Sequence, residues 1–93
     1  MEIKIEESNT KGAAFVEEKG ERIAEMTYSI ASPTLIIIDH TAVDDSLRGK
    51  GVGKKLLMTV VEKARNSNAK IIPLCPYAKS VFDKDESIRD VLK

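Results

Sequence analysis

The residues with the clearest chemistry are Leu47-Arg48-Gly49-Lys50-Gly51-Val52-Gly53-Lys54-Lys55, where glycines interleave with bases. Glycines let neighbouring backbone N–H groups turn toward one point and let a ligand come close to the chain. If a helix opens here, its first turn adds unpaired N–H groups and the positive end of its dipole. The chemistry on offer is capture of a small anion. Charge supports this. Residues 1–47 carry a net of minus six, and residues 48–70 a net of plus six from Arg48, Lys50, Lys54, Lys55, Lys63, Arg65 and Lys70 against Glu62. The plain alternative is a solvated, lysine-rich helix face.

Three phosphate-loop patterns can be tested. A Walker A loop needs Gly at position 48 and Ser or Thr at position 55, and Arg48 and Lys55 stand there instead. A dinucleotide fingerprint needs its third glycine at position 54, which is Lys54, and no acid lies near position 70. The pattern [Q/R]-x-x-G-x-[G/A] is met in full by Arg48, Gly51 and Gly53.

The surrounding elements must present this loop between a strand and a helix, and the pattern predicts that they do. Alternation at 2–7, 13–18 and 22–31 predicts three strands, with Ala24, Met26, Tyr28 and Ile30 on one face of the third. Residues 34–41 (TLIIIDHT) form a β-branched run suited to a central strand covered on both faces. After the polar loop Asp44-Asp45-Ser46 and the glycines, Val52, Leu56, Leu57, Val60, Val61 and Ala64 make one helical stripe, which Asn66, Ser67 and Asn68 end. Residues 70–75 read as an edge or splayed strand because Pro73 cannot donate to a ladder. A short helix is expected at 77–83 and a last helical turn at 86–92. The expected fold is α+β, a mixed, mainly antiparallel sheet in the order β-β-β-β-α-β-α, forming a single domain over residues 1–93.

The chain resembles the GNAT superfamily of acyl-CoA-dependent N-acetyltransferases, over roughly residues 20–83. The resemblance is to its small, minimal-length members. It rests on Asp39-His40-Thr41, the loop from Arg48 to Gly53, and Pro73-Leu74-Cys75-Pro76-Tyr77. It implies an acetyl-CoA-dependent N-acetyltransferase with an unidentified amine acceptor. The backbone of Gly49, Lys50, Gly51, Val52, Gly53 and Lys54 would bind the coenzyme A pyrophosphate, with Arg48 at the loop mouth. At least one of Lys50, Lys54 and Lys55 would meet a phosphate. Thr41, Ala42 and Val43 would pair through their backbone with the pantetheine arm, in a wedge where this strand splays from the 70–75 strand.

Catalytic candidates follow from the same resemblance. Cys75, at the end of the flanking strand, could relay the acetyl group, with His40 on the adjacent strand as its base; buried thiols of no chemical role are also common. Tyr77 lies where the family places a proton donor for the departing thiolate. No metal is implied. One departure matters: larger GNAT domains insert two helices between their first two strands, whereas only Ser8 to Gly12 stands here. The acceptor site is then open, which suits a macromolecular amine and raises the alternative of a CoA- or acyl-CoA-binding module with little transferase activity. A third alternative is an unrelated anion-binding or interaction domain.

Other classes fit poorly. Fifteen bases balance fifteen acids, so the basic field of a nucleic-acid binder is absent. Leu35–Ile38 is far too short a run to span a membrane. Met1–Glu7 alternates charge with isoleucine and reads as no secretory signal, and Cys75 is the one cysteine, so the expected setting is the cytoplasm without a membrane partner.

Overall fold

The computed structural model describes residues 1–93. Four strands run in sequence order, β1 (Lys4–Glu7), β2 (Lys11–Glu18), β3 (Glu21–Ser32) and β4 (Leu35–Val43). A 3₁₀ turn (Asp45–Leu47) and the glycine loop lead to α1 (Val52–Asn66), then β5 (Lys70–Pro73), α2 (Pro76–Lys84) and a 3₁₀ segment (Glu86–Val91). The sheet order is β1-β2-β3-β4-β5, antiparallel except for the parallel β4/β5 pair that α1 connects.

The hydrophobic patterns explain this arrangement. Lys19 and Gly20 both take positive φ, giving a two-residue turn whose twist suits the β2–β3 hairpin. All six residues of the predicted α1 stripe are buried. They pack on Ala24, Met26, Tyr28, Ile36 and Ile38 of the sheet in one continuous core. Asn68, in the left-handed region, ends α1 and lets the Ala69 N–H return to the Ala64 carbonyl at 2.8 Å.

Two boundaries beside the glycine loop and Cys75 differ from expectation. Strand β5 stops at Pro73, so Cys75 is not at a strand end but caps α2. Proline fits the first turn of that helix, where a missing N–H costs nothing. Strand β4 runs on to Val43. The final segment is a 3₁₀ helix over Glu86–Val91, where a last helical turn was expected, and it buries Ile88 and Val91. The outer edge of β5 is partly covered, because Ile71 bridges to Leu92 and its carbonyl accepts the Lys93 N–H at 2.9 Å.

The β4/β5 ladder ends where Ile38 meets Pro73. Beyond it the N–H groups of Leu74 and Cys75 both converge on the Ile38 carbonyl at 3.1 Å, and the chain turns away into α2. Strand β4 continues along β3 alone, so a gap opens between its last residues and α2. At that point Thr27 pairs with His40 but Tyr28 pairs with Ile38, which leaves Asp39 as a bulge.

Candidate functional site

The glycine loop is shaped by backbone geometry. Asp44 caps the 3₁₀ turn by accepting the Ser46 N–H at 3.0 Å. Gly49 and Gly51 then take φ of +80° and +68°, conformations that glycine adopts at little cost. Lys50 N–H is used within the bend, on the Leu47 carbonyl at 3.2 Å. The N–H groups of Gly49, Gly51, Val52, Gly53 and Lys54 donate to no protein acceptor, and helical bonding begins only with Lys55 N–H on the Gly51 carbonyl. Five free donors thus cluster at the positive end of a 15-residue helix.

The side-chain charges are unequally available. Arg48 donates to the Asp45 carboxylate at 2.8 Å, with both groups exposed. Lys54 lies 3.8 Å from Asp85. Lys50 and Lys55 carry no carboxylate partner within salt-bridge distance.

From the loop a cleft of about 340 Å³ runs to the gap, walled by Val52, Thr41, Val43 and the Tyr77 ring. Backbone alternation decides which strand residues face it. Asp44 N–H donates to the Ile23 carbonyl of β3 at 2.8 Å. Residues directly before it in the antiparallel ladder must alternate. Val43 and Thr41 therefore turn N–H and C=O into the gap, whereas Ala42, opposite Glu25, engages β3. This corrects the expectation for Ala42: its backbone is already committed to the sheet.

The bulge sets the faces as well. It places Asp39 and His40 together on the far side of the sheet and returns Thr41 to the side of the helices. There the Thr41 hydroxyl meets Cys75 Sγ at 3.3 Å. His40 shares its face with Thr27, which lines a shallow cavity with Ser29 and Asp39 on the opposite surface. The expected His40–Cys75 pair is therefore not formed. The local sequence carries no signal for the bulge, and a strict two-residue alternation from buried Ile38 would have brought His40 inward.

Cys75 is 5% exposed. Burial pushes its thiol up, but hydrogen bonds from the Thr41 hydroxyl and from the N–H groups of Ala78, Tyr77 and Thr41 outweigh this and leave it below the usual thiol range. Tyr77 is held above the usual phenol range by burial and then by the neighbouring Cys75 charge. A feature missed in the sequence is the meeting of Tyr77 with α1: a β-carbon on Gly53 would stand 2.9 Å from the phenol Cζ and Oη. No group of three or more His, Cys, Asp or Glu side chains could hold a metal ion, and no helix is long and apolar enough to cross a membrane.

The family model described as GCN5-related N-acetyl-transferase matches residues 13–91. A GCN5-like protein of Staphylococcus aureus, described as a candidate N-acetyltransferase, is 43% identical, with a TM-score of 0.73 over 97% of this chain and 87% of its own. A ribosomal-protein-alanine N-acetyltransferase from Brucella melitensis shares the fold at 18% identity, with a TM-score of 0.67 over 83% of this chain and 62% of its own. An aminoglycoside 6′-N-acetyltransferase solved with coenzyme A shares it at 13% identity, with a TM-score of 0.59 over 70% of this chain and 37% of its own. No curated protein matches the chain significantly.

Proposed function

The chain belongs to the GCN5-related N-acetyltransferase family, and on that premise we propose that it transfers an acetyl group from acetyl-CoA to an amine. The observation that carries the donor assignment is the set of five free N–H groups on Gly49, Gly51, Val52, Gly53 and Lys54, at one end of a cleft whose other end is the β4/β5 gap. Such a cradle suits a diphosphate, and Lys50 and Lys55 are free to meet further phosphate charge. Arg48 shields the mouth of the loop but would first have to share Asp45. The Val43 backbone and the Thr41 carbonyl offer unpaired strand-edge groups to the amides of a pantetheine arm, the Thr41 N–H being held by Cys75 Sγ.

Transfer needs a neutral amine, a stabilised oxyanion and a proton for the departing sulfur. Tyr77 lines the cleft with its phenol kept protonated, and we assign it that proton delivery. The amine adds to the thioester carbonyl, forming the C–N bond and the oxyanion. Collapse breaks the C–S bond as Tyr77 protonates the departing sulfur, the amine proton leaves to solvent through the open side of the gap, and the phenolate regains a proton from solvent. Direct attack is favoured over a relay through Cys75, because the thiol is 5% exposed and has no imidazole beside it. In this reading Cys75 fixes Thr41 against α2. Mass spectrometry after mixing with acetyl-CoA tests the choice: acetyl on Cys75 would establish the relay.

A second reading is an acyl-CoA-binding module with little turnover. It is favoured by the connection between β1 and β2, which is only Ser8 to Thr10 and supplies no wall for an acceptor. Calorimetric titration with CoA, followed by thiol release from acetyl-CoA across a panel of amines and peptides, separates the two. A CoA dissociation constant in the millimolar range or weaker defeats both.

A further inference from the structure

We infer that Gly53 is a positioning residue for the Tyr77 hydroxyl, its missing β-carbon setting where the phenol lies against the first turn of α1. The inference rests on the reading that Tyr77 delivers a proton to the departing thiolate.

The three loop glycines have different reasons to be glycine. Gly49 and Gly51 have positive φ and need it for backbone conformation. Gly53 does not, and it sits inside α1, where alanine is the better helix former. The anion grip gives no reason either. It uses the Gly53 N–H, which every residue except proline would keep, and the loop pattern itself admits alanine at this slot. What alanine meets here is Tyr77: its β-carbon would lie 2.9 Å from Cζ, 2.9 Å from Oη and 3.0 Å from Cε2. Contacts that short do not persist, so the ring must move. It can do so, because Tyr77 is 38% exposed and its hydroxyl makes no hydrogen bond in the protein. Only its main chain is bonded, the carbonyl to Ser80 Oγ and the N–H to Cys75 Sγ. The ring position is therefore set by packing on Gly53, and displacement costs the fold little.

The test compares Gly53→Ala, Tyr77→Phe and the double variant, using CoA titration, thiol release from acetyl-CoA with n-butylamine as the acceptor probe, and alkaline titration of the phenols. Gly53→Ala is expected to keep CoA affinity within threefold and lower kcat at least tenfold, since a misplacement near 1 Å at a reacting group costs on the order of a hundredfold. The double variant is expected to be no slower than Tyr77→Phe alone. The phenol readout needs no acceptor. Tyr28 is held well above the phenol range by burial and by Glu7, so the first phenol to ionise is Tyr77, and its midpoint is expected to fall toward the ordinary value once the ring leaves Gly53. If Tyr77→Phe turns over like the wild type, the proton-donor reading fails and this inference falls with it. If Tyr77→Phe is slow while Gly53→Ala is not, or the Ala variant titrates unchanged, the role of Gly53 alone is overturned. A loss of CoA affinity above tenfold in Gly53→Ala would show that the missing β-carbon serves the anion grip rather than Tyr77, and overturns the inference too.

Discussion

Gly51→Ala puts the proposed anion grip to a quantitative test, because the chain contains its own control. Gly51 has φ +68° and Gly20 has φ +82°, and an added β-carbon meets nothing within 4 Å at either. The folding penalty is therefore conformational in both cases, about 1–2 kcal/mol for an L-residue forced into the left-handed region. For a domain of this size each kcal/mol lowers Tm by roughly 4–8 °C. Both variants should melt about 4–16 °C below the wild type and within a few degrees of each other. Binding separates them. Gly20 lies in the β2–β3 turn and lines no part of the cleft, whereas the new methyl at Gly51 stands on the cleft wall. It would hold a diphosphate away from the free N–H groups around it. Losing one hydrogen bond to a charged group costs about 1.5–3 kcal/mol, which is roughly 10- to 150-fold in affinity. Calorimetry with CoA should show that loss for Gly51→Ala and none for Gly20→Ala. Equal affinities at equal melting points would refute the claim that this bend grips the ligand through its main chain.

Three further outcomes follow from particular contacts. In Gly12→Ala a β-carbon would sit 2.4 Å from Cζ of Tyr28, a ring 1% exposed whose hydroxyl donates to Glu7 at 2.8 Å. Overpacking of about 1–3 kcal/mol and a lost bond to a carboxylate of about 1.5–3 kcal/mol should remove roughly 2.5–6 kcal/mol in a urea titration, and a loss below about 1 kcal/mol would contradict the contact. Glu7 is pushed up by burial, but hydrogen bonds from Lys63 and Tyr28 outweigh that and hold its carboxyl below the usual range. Its contribution is thus present above the ordinary carboxylate pKa and lost as pH falls through the folded value, so Glu7→Gln should flatten the decline of Tm between about pH 5 and 3; an unchanged decline would rule the linkage out. Iodoacetamide should alkylate Cys75 with a pH midpoint below that of a free thiol, and Thr41→Val should raise it. A wild-type midpoint above the free-thiol value would show that burial, not hydrogen bonding, governs this sulfur.

What could be read from the sequence, and what could not, divides along a physical line. Strand alternation, the α1 stripe and the glycine pattern are local periodicities, and each appears in the structure within a few residues of its expected place. Pro73 announced the end of β4/β5 pairing for an equally local reason, its missing N–H. The bulge at Asp39 is different. It inserts one residue without any glycine or proline to mark it, and it reverses the facing of everything after it on β4. That reversal turns the Thr41 and Val43 backbone into the gap, ties Ala42 to β3, brings the Thr41 hydroxyl to Cys75 and puts His40 on the opposite surface. The Tyr77–Gly53 contact was equally hidden, since it joins residues 24 apart through the packing of two helices. The glycine loop is thus a local device that the sequence spells out. The gap end of the cleft is assembled by one strand irregularity and one helix contact, so the roles proposed for its residues can be derived only once the register of β4 is known.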